Sequence, residues 1–427
     1  MKAANRVVIT GLGVCAPNGT GVEDFARAIK SGTSGIRFDP ALQALGFSCQ
    51  VSGRPEISKQ TMDVCFSELE QRALSSTGIQ YGVVAAMEAW SDAGLLPAGE
   101  SQPDWDSGTF FGTGTSGIDK FRWAIQQIDQ QQVRKLGSTV VGQTMASGVS
   151  AYIAGKLGLG NQVTTNSSAC ATGTESILMA YEHIKWGKAK RMLAGSTSDS
   201  GPYIWGGFDA MKVCTYKHND APQDASRPMS ATASGFVPGS GAGALVLESL
   251  ESAVSRNARI YCELIGGHAN SGGQRGLGTM TAPNPEAVKR CIAQAVSGAG
   301  IRPEQVEVIN GHLTATAKDA LEIANWKQAL GRGREDFPYI NSLKGMTGHC
   351  ISASGSIECV ASVMQLSGGF VFPNINCQDL NTEIAVLVDP SRIPGKLLAL
   401  DFEVLAKASF GFGDVNACLI FKRFKNG

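Results

Sequence analysis

"NSSACATGTESILMAYEHIKWG", residues 166–187, places a cysteine among residues too small to cover it, directly before a helix-forming segment. A lone cysteine is usually a small buried hydrophobe. A helix N-terminus, however, offers free backbone N–H groups and the positive end of the helix dipole, which favour thiolate over thiol. The N–H of Cys170 can also donate to an oxyanion. From this stretch alone, Cys170 is either a nucleophile or a core residue.

Strand-like and helix-like segments alternate on both sides of this stretch. "SGTFFGTGTSG" (107–117) and "KRMLAGSTSD" (190–199) predict strands, and "GAGALVLESLESAVSRNAR" (241–259) predicts a strand that leads into a helix. Such alternation is typical of mixed α/β layers in which helices cover sheets. Because the pattern restarts at about residue 258, we predict two units, residues 1–257 and 258–427, and the similar rhythm suggests a duplicated α/β unit.

Composition excludes several classes of protein. The chain has 427 residues, of which 43% are hydrophobic and 17% charged, so a large core is expected and disorder is not. Lys+Arg and Asp+Glu are equal at 37 each, which gives no electrostatic reason to expect a nucleic acid or a membrane surface as partner. The eleven cysteines are scattered without a CxxC pair, which is typical of a reducing cytosol rather than of a disulfide framework or a zinc site. We therefore expect a cytoplasmic protein without membrane spans.

A glycine-rich turn at residues 112–117, "GTGTSG", matches the GxGxxG pattern of dinucleotide-binding proteins. That site also needs a helix that opens on the third glycine and an acid about 20 residues further on, at the end of a second strand. The sequence that follows, "IDKFRWAIQQIDQQQ", contains no second strand. We therefore predict no dinucleotide site here.

The chain contains five histidines, which fall into two groups. His183 and His218 lie in charged segments and are expected at the surface, and His268 follows two glycines and is expected to be structural. His312, in "NGHLTAT", comes just past a predicted strand end, where α/β sheets collect their active-site residues. His349 shares the loop "NSLKGMTGHCISASGS" with a lysine and also precedes a helix.

A cysteine, two histidines and a lysine together suit one kind of chemistry. A thiolate can attack a thioester and become acylated. Loss of carboxylate from a malonyl group then creates an enolate, whose oxygen two neutral imidazole N–H groups can hold. A hydrolase instead needs one histidine as base and a partner that orients it. Cys170, His312, Lys344 and His349 therefore favour a carbon–carbon condensation.

Four motifs give the chain a family resemblance. "SSACATG", "GHLTAT", "SLKGMTGH" and "ASFGFGDVN", in this order and at these separations, resemble the elongating β-ketoacyl-acyl carrier protein synthases of fatty acid and polyketide synthesis. The likeness extends over essentially the whole chain. It implies an α/β fold of the thiolase type, in which two duplicated halves form five layers, αβαβα. It also implies a homodimer, with a heterodimer of related subunits as the alternative.

The resemblance implies a role for each motif residue. Cys170 is the acyl-accepting nucleophile, His312 and His349 support decarboxylation and hold the malonyl thioester oxygen, and Lys344 orders the site. The backbone N–H groups of Cys170 and Phe412 form the oxyanion hole. The remaining assignments are Thr314 and Thr316 to the pantetheine arm, and Thr115, Phe410 and Phe412 to the acyl pocket. No metal or organic cofactor is implied, because the phosphopantetheine arrives on the carrier protein.

The implied partner is an acidic acyl carrier protein, in its acyl- and malonyl-loaded forms. A basic docking patch is therefore expected, and its candidates are Lys212, Lys217 and Arg72. Ordinary solvated surface explains these three residues equally well, because exposed charge pairs contribute little individually.

The chain departs from the family pattern around His312. Leu313 and Ala315 stand where the family has small residues, and the usual proline is absent. Asp319 and Glu322 each come one residue early, which puts the usual pairing of these acids with the lysine in doubt. Asp414 and Val415 also replace a common Gly-Thr pair, and Thr115 stands where an apolar pocket residue is common. These changes leave the catalytic set intact and suggest an altered acyl pocket.

The sequence thus predicts a synthase that condenses an acyl chain on Cys170 with malonyl-carrier protein in fatty acid synthesis. A synthase dedicated to a polyketide, aryl polyene or unusual lipid is the nearer alternative, because of the altered pocket residues. A non-catalytic chain-length partner subunit is the farther alternative, since such subunits usually lack the nucleophile. A thiolase is less favoured because "SFGFGDVN" stands where its second cysteine loop is expected.

Overall fold

The computed structural model of the chain describes residues 4–425. Its strands are β1 Val7–Ala16, β2 Gly19–Thr20, β3 Ile36–Phe38, β4 Val51–Gly53, β5 Ser107–Thr113, β6 Val163–Thr164, β7 Arg191–Ser198, β8 Gly241–Ser249, β9 Cys262–Ser271, β10 Val308–Asn310, β11 Tyr339–Asn341, β12 Phe370–Val371, β13 Leu398–Ala399, β14 Val404–Gly411 and β15 Val415–Lys422. Its α-helices are α1 Val22–Ser31, α2 Pro40–Ala44, α3 Lys59–Cys65, α4 Glu68–Ala73, α5 Thr77–Asp92, α6 Ile118–Asp129, α7 Thr139–Thr144, α8 Gly148–Leu157, α9 Thr172–Lys185, α10 Pro202–Ala210, α11 Leu250–Ser255, α12 Pro285–Gly298, α13 Asp319–Leu330, α14 Lys344–Thr347, α15 Ser354–Gly368 and α16 Thr382–Leu387.

The same strand topology occurs twice in the chain. The first half has the order β1-β8-β7-β5-β6, and the second half has the order β9-β15-β14-β10-β11. Along the chain, the five strands of the first half are β1, β5, β6, β7 and β8, and those of the second half are β9, β10, β11, β14 and β15. Counted in this chain order, the first strand of each half is antiparallel to the fifth, and the fifth is antiparallel to the fourth. The fourth, second and third strands run parallel to one another. The predicted duplication is therefore confirmed strand by strand.

The two halves are joined into one sheet of eleven strands, which includes β2 beside β1. The junction is an antiparallel pairing of β1 with β9, in which Val7 lies opposite Leu264. The link between the halves runs from the end of α11 to the start of β9, and the predicted boundary after residue 257 lies in this link. Within residues 4–425 no helix has both the length and the apolar character needed to cross a membrane.

Helices occupy three layers around the two halves of the sheet, each of which forms one layer of strands. α5 and α8 pack on the outer face of the first half, α12 packs on the outer face of the second half with α13 beside it, and α9 and α15 lie between the halves. α15 is buried on every side from Ser354 to Leu366, as expected of a helix in a central layer. The structure thus confirms the predicted α/β fold of five layers.

The two central helices cross so closely that only glycine fits at the contact. A Cβ atom added at Gly173 of α9 would lie 2.4 Å from the backbone nitrogen of Ser356, and one added at Gly355 of α15 would lie 2.7 Å from that of Thr174. Each helix is preceded by a 3₁₀ turn, Ala169–Ala171 before α9 and Ile351–Ala353 before α15. The crossing therefore brings the segments of Cys170 and His349 together.

One surface prediction is wrong. His183 is buried on α9, where its Nε2 lies 3.1 Å from Oδ1 of Asn161 and its ring packs against Phe110. The charged residues next to His183 lie on the exposed face of α9, whereas His183 lies on the buried face. The charge of its sequence neighbours therefore did not predict its burial.

The helix crossing yields a stability prediction. We expect Gly173→Ala to lower the free energy of unfolding by about 1–3 kcal/mol, because the overlap with α15 exceeds what the gain in helix propensity offsets. The matched control is Gly155→Ala in α8, where an added Cβ meets no atom within 4 Å. We expect that change to stabilise the protein by about 0.5–1 kcal/mol. Denaturant unfolding of both variants is the measurement, and equal stability of the two would contradict the close crossing.

Candidate active site

Cys170 lies in the 3₁₀ turn at the N-terminal end of α9, and a threonine fixes the shape of that turn. The hydroxyl of Thr172 accepts from the N–H of Ser168 at 2.8 Å and donates to the carbonyl of Ala169 at 2.7 Å. Ala169 has φ of 48°, a left-handed conformation that costs energy for a residue with a Cβ. The turn holds the nearly buried Cys170 thiol at the floor of a cavity.

His349 is the side chain nearest to the thiol. Its Nε2 lies 3.1 Å from the Cys170 Sγ, and its Nδ1 accepts from the backbone N–H of Ile351 at 3.1 Å. The Ser354 hydroxyl lies 2.9 Å from the same Nδ1. Because a backbone N–H can only donate, Nδ1 carries the lone pair and Nε2 carries the proton of the neutral ring. His349 therefore presents an N–H group to the space above the thiol.

His312 lies in the loop after β10, and two carboxylates of α13 shape that loop. Glu322 accepts from the N–H groups of His312 and Leu313, both at 2.7 Å. Asp319 accepts from Thr314 at 2.9 Å, and from the two residues after Thr314 at 3.2 and 3.4 Å. Both acids thus serve the loop backbone and form no ion pair with Lys344, in line with the doubt raised by their early positions in the sequence.

Two residues of the same loop carry backbone strain. Leu313 has φ of 22° and Ala315 has φ of 61°, so both adopt a backbone conformation that favours glycine. These are the positions at which the sequence departs from the small residues of the family pattern. The hydrogen bonds that the loop N–H groups donate to Glu322 and Asp319 hold the loop in this shape despite the strain.

Lys344 lies beneath His312 in a buried charge cluster. Its Nζ donates to the His312 carbonyl at 2.6 Å, lies 3.5 Å from the His312 Nδ1, and forms an ion pair with Glu358. Lys407 of β14 forms a second ion pair with the other oxygen of Glu358 at 2.8 Å. An ammonium beside Nδ1 favours the His312 tautomer with its proton on Nε2.

Sequence reasoning missed Glu358 and Lys407. A signal was present, since each is the only charged residue of a buried element, α15 for Glu358 and β14 for Lys407. A charge that is fully buried on a central helix or strand is rare unless it is paired. Glu358 lies outside the quoted motifs and Lys407 directly precedes "ASFGFGDVN", but no local pattern connected them with each other or with Lys344.

Burial sets the protonation states of the three reactive side chains. It lowers the pKa of His312 and of His349 well below the usual value, and the charge of Lys344 adds to this effect. Both imidazoles are therefore neutral at pH 7, as decarboxylation requires. Burial also raises the pKa of the Cys170 thiol to about 11, while the Lys344 charge and the N–H groups of Phe412 and Cys170 act in the opposite direction.

The expectation of a thiolate stabilised by the helix N-terminus is therefore wrong for the free protein. The turn that carries Cys170 is buried, and desolvation of the thiolate outweighs the Lys344 charge and the nearby N–H groups. The same two N–H groups, from Cys170 and Phe412, converge on the sulfur. They can therefore donate to the oxyanion that forms on a carbonyl oxygen when this sulfur attacks the carbonyl carbon.

The cavity has a volume of about 600 Å³ and contains most of the predicted site residues. Cys170, His312 and His349 line it together with four residues assigned from the resemblance, which are Thr314, Thr316, Phe410 and Phe412. Phe412 packs on Phe208 at 5.9 Å between ring centroids, and Phe208 packs on Phe236 at 5.6 Å. Phe236 in turn contacts the ring of His349 at 5.1 Å. A continuous row of aromatic contacts thus connects Phe412 with His349.

Thr115 does not line this cavity, so the structure of the single chain does not place it in the acyl pocket to which the resemblance assigned it. Its side chain is exposed in the loop after β5. The hydroxyl of Thr113 donates to the Thr115 carbonyl at 2.6 Å, which closes a tight turn and holds Thr115 at the surface.

The three docking candidates occupy different environments. Lys212 is exposed and lines the active-site cavity. Lys217 is exposed but does not line it, and Arg72 is paired with Glu68 at 3.2 Å on the exposed face of α4. Only Lys212 is thus near a path to Cys170.

Asp414, another departure from the family pattern, joins two walls of the cavity. It is fully buried and has φ of 61°. Its carboxylate accepts from the N–H groups of Gln274 at 3.1 Å and Asn284 at 2.8 Å. The loop between those two residues, which includes Thr281 and Pro283 of the cavity wall, is thereby fixed to the turn that carries Phe412.

The thiol and the two histidines also resemble a set of metal ligands. One ligand-type atom of each lies within 4.8 Å of the others. Both rings, however, have a donor at Nδ1, so the protons lie on Nε2 and neither Nε2 offers a lone pair in this arrangement. The geometry fits donation of two N–H groups to one oxygen atom better than metal binding.

Comparison with known proteins supports the same chemistry. Residues 4–253 match the family described as "Beta-ketoacyl synthase, N-terminal domain", and residues 261–378 match "Beta-ketoacyl synthase, C-terminal domain". The chain is 34% identical over 438 residues to 3-oxoacyl-acyl-carrier-protein synthase 2 of Synechocystis sp., with 98% of each chain covered.

Solved structures give the same result. A beta-ketoacyl synthase from Burkholderia phymatum matches with a TM-score of 0.89 and 28% identity, and covers 99% of this chain and 100% of its own. A structure described as a type II PKS acyl-carrier protein in complex with its ketosynthase bound to the hexaketide matches with a TM-score of 0.86 and 29% identity, at the same coverage. Both likenesses extend over nearly the whole chain.

The raised pKa of Cys170 predicts slow alkylation at neutral pH. We expect the rate of its reaction with iodoacetamide to rise about tenfold per pH unit through pH 9, because little thiolate forms below that pH. Removal of the Lys344 charge in Lys344→Met raises the pKa further, and we expect a rate about tenfold lower at pH 8. Lys212→Met, which removes an exposed lysine from the same cavity, is the control. Peptide mass spectrometry measures the modification at Cys170, and a plateau below pH 8 would contradict the effect of burial.

Proposed function

This chain belongs to the β-ketoacyl synthase family, and we propose that it condenses an acyl group on Cys170 with the malonyl group of an acyl carrier protein, releasing carbon dioxide. One observation carries the proposal. Two neutral imidazoles lie beside the Cys170 thiol, and a donor at the Nδ1 of each ring places its proton on Nε2. Both rings are thus hydrogen-bond donors, and neither acts as the base of a hydrolase.

The first step of the proposal is acyl transfer. The Cys170 sulfur attacks the carbonyl carbon of an acyl thioester, a new C–S bond forms, and the C–S bond to the carrier arm breaks. The thiol proton leaves with the departing arm. The N–H groups of Cys170 and Phe412 stabilise the oxyanion of the intermediate, and the 3.1 Å contact of His349 with the sulfur stabilises the transient thiolate.

The second step is decarboxylation and condensation. The malonyl thioester oxygen accepts from the Nε2–H groups of His312 and His349, whose ring centroids are 5.5 Å apart. Carbon dioxide leaves as the C–C bond to the carboxylate breaks, and the electron pair forms an enolate. The enolate carbon then attacks the acyl group, a C–C bond forms, and the Cys170 thiolate departs. Lys344, on the carbonyl of His312, keeps that ring in place throughout.

The proposal includes an acyl carrier protein as partner and no organic cofactor or metal, since the phosphopantetheine arm brings both substrates. It also includes a homodimer in the cytosol. A ketosynthase dedicated to a polyketide is the second candidate. The structure described as a type II PKS ketosynthase bound to a hexaketide supports it. Leu313, Ala315 and Asp414 are buried behind the cavity and do not line it, so they add no direct support. A non-catalytic partner subunit is disfavoured by the complete set of Cys170, His312, Lys344 and His349.

Acylation of Cys170 tests the proposed function directly. We expect wild-type protein mixed with acyl-carrier proteins to gain the mass of the acyl group, and Cys170→Ala to gain none, because it lacks the nucleophile. Cys377→Ala, at a cysteine outside the cavity, should behave as wild type. Intact-protein mass spectrometry is the measurement, and the preferred acyl group distinguishes saturated fatty chains from polyketide intermediates. An increment that survives in Cys170→Ala would disprove the assignment.

Docking of the carrier protein gives a second test. We expect Lys212→Glu to raise KM for malonyl-carrier protein about tenfold with little change in kcat, because it reverses a charge at the entrance of the cavity. Arg72→Glu is the matched control, since Arg72 is outside the cavity and already paired with an acid. Steady-state kinetics at low ionic strength is the measurement. A larger effect for Arg72→Glu would place the docking surface around α4 instead.

A further inference from the structure

Lys407 is a fully buried lysine in the centre of β14, one strand away from the loop of His312. Its Nζ lies 2.8 Å from Oε2 of Glu358, donates to the Ser409 hydroxyl at 2.9 Å, and also donates to the carbonyl of Ala408. Burying an ammonium is costly, so a lysine here needs a compensating role. The catalytic scheme above does not use it.

The charges around Lys407 do not balance. Lys344 and Lys407 share one carboxylate, that of Glu358, and the side chains of all three are at most 2% exposed. Within residues 4–425 no second carboxylate lies within 4 Å of either ammonium. Two buried cations and one buried anion therefore leave this ion-paired cluster with one net positive charge beneath the histidines. The nearby carboxylate of Glu322 binds the backbone N–H groups of His312 and Leu313 and forms no ion pair with either lysine.

The neighbours of Lys407 on the sheet are uncharged, with polar residues on the β10 side and Leu419 of β15 on the other side. In register it lies opposite Asn310 of β10, which lies opposite Asn341 of β11. Asn341 donates to Gln365 of α15 at 2.6 Å, so this row of side chains faces the same central helix as Glu358. Amides can solvate the cluster but cannot neutralise it, and the surplus charge remains.

We propose that Lys407 is a positioning residue for the condensation, because its hold on one oxygen of Glu358 leaves the charge of Lys344 only half compensated and the floor of the site positive. This inference rests on the proposed function. A positive floor keeps the two histidines in their neutral, donating form and favours the enolate that forms above them. With Lys407 absent, Glu358 neutralises Lys344 and the floor carries no net charge.

A second contact connects Lys407 with the nucleophile. The Ser409 hydroxyl that accepts from Lys407 lies 2.8 Å from the hydroxyl of Thr174 on α9. Cys170 precedes that helix, and Phe410 and Phe412 follow Ser409 in the chain. Lys407 thus lies at the junction of the strand that supplies the oxyanion hole and the helix that presents the thiol.

The expected pH effect follows from the groups that face the histidines. These are Cys170 before α9, Lys344 on α14, Glu358 on α15, Lys407 on β14, and Glu322 of α13, which binds the backbone of His312. Burial and the charge of Lys344 lower the pKa of both histidines, and Lys407 contributes in the same direction. Removal of Lys407 raises the pKa of both rings, so they become protonated at a higher pH and the enolate is then quenched.

The test uses three variants of the full-length protein. For Lys407→Met we expect kcat for condensation to fall 10- to 100-fold with KM little changed, and the acid limb of the kcat profile to move up by about 1 pH unit. Lys407→Arg keeps the charge and should retain the wild-type limb. The double change Lys407→Met with Glu358→Gln restores one net positive charge and should move the limb back toward wild type. A purely structural role predicts that the double variant is worse than the single one.

Histidine titration by NMR separates this inference from the proposed function. It reads the pKa of the two rings in protein that need not turn over, and we expect both to rise in Lys407→Met. If wild type fails to condense but the pKa shift is present, the proposed function fails and the charge effect stands. If Lys407→Met folds with an unchanged acid limb and unchanged histidine pKa values, or if Lys407→Arg shifts the limb as Lys407→Met does, the inference is overturned.

Discussion

The crossing of α9 and α15 is the constraint on which the site depends. Gly173 and Gly355 let the two backbones approach to a distance that no side chain allows. Because each helix begins beneath the active-site cavity, this approach decides the 3.1 Å separation between Cys170 and His349. The outer helices and the two halves of the large sheet hold the central pair from both sides. A large core is thus used to fix one short distance between two polar atoms.

The acids near the site bind backbone N–H groups and lysine side chains, and none of them pairs with a histidine. Glu322 and Asp319 use their oxygens on N–H groups of the His312 loop, and Glu358 uses its oxygens on two lysines. No carboxylate within residues 4–425 forms an ion pair with His312 or His349, and burial keeps both rings uncharged. In a triad hydrolase an acid stabilises the imidazolium. Here the arrangement opposes the imidazolium, which suits hydrogen-bond donation to an enolate better than repeated proton transfer.

The sequence predicted the parts of the site that lie in short local motifs. Cys170, His312, Lys344 and His349 could be found because each stands in a loop of small residues after a strand. The alternation of strands and helices predicted mixed α/β layers and suggested a duplication, and the family resemblance implied the five-layer fold. The role of Lys407, the exposure of Thr115 and the burial of His183 could not be found in this way. They depend on contacts between distant elements, and the raised pKa of Cys170 depends on a desolvation that local sequence does not encode.

The repeated topology has a consequence for the two 3₁₀ turns. α9 and α15 each follow the third strand of their half, so the turns Ala169–Ala171 and Ile351–Ala353 are equivalent by internal pseudo-symmetry. Ala169 and Ile351, which open these turns, have φ of 48° and 50°. The counterpart of Cys170 is then Ser352, whose hydroxyl donates to the Thr197 carbonyl at 2.7 Å. The same backbone geometry thus presents a thiol to the cavity in the first half and holds a hydroxyl in a backbone hydrogen bond in the second. The duplicated turn has a catalytic role in one half and a structural role in the other.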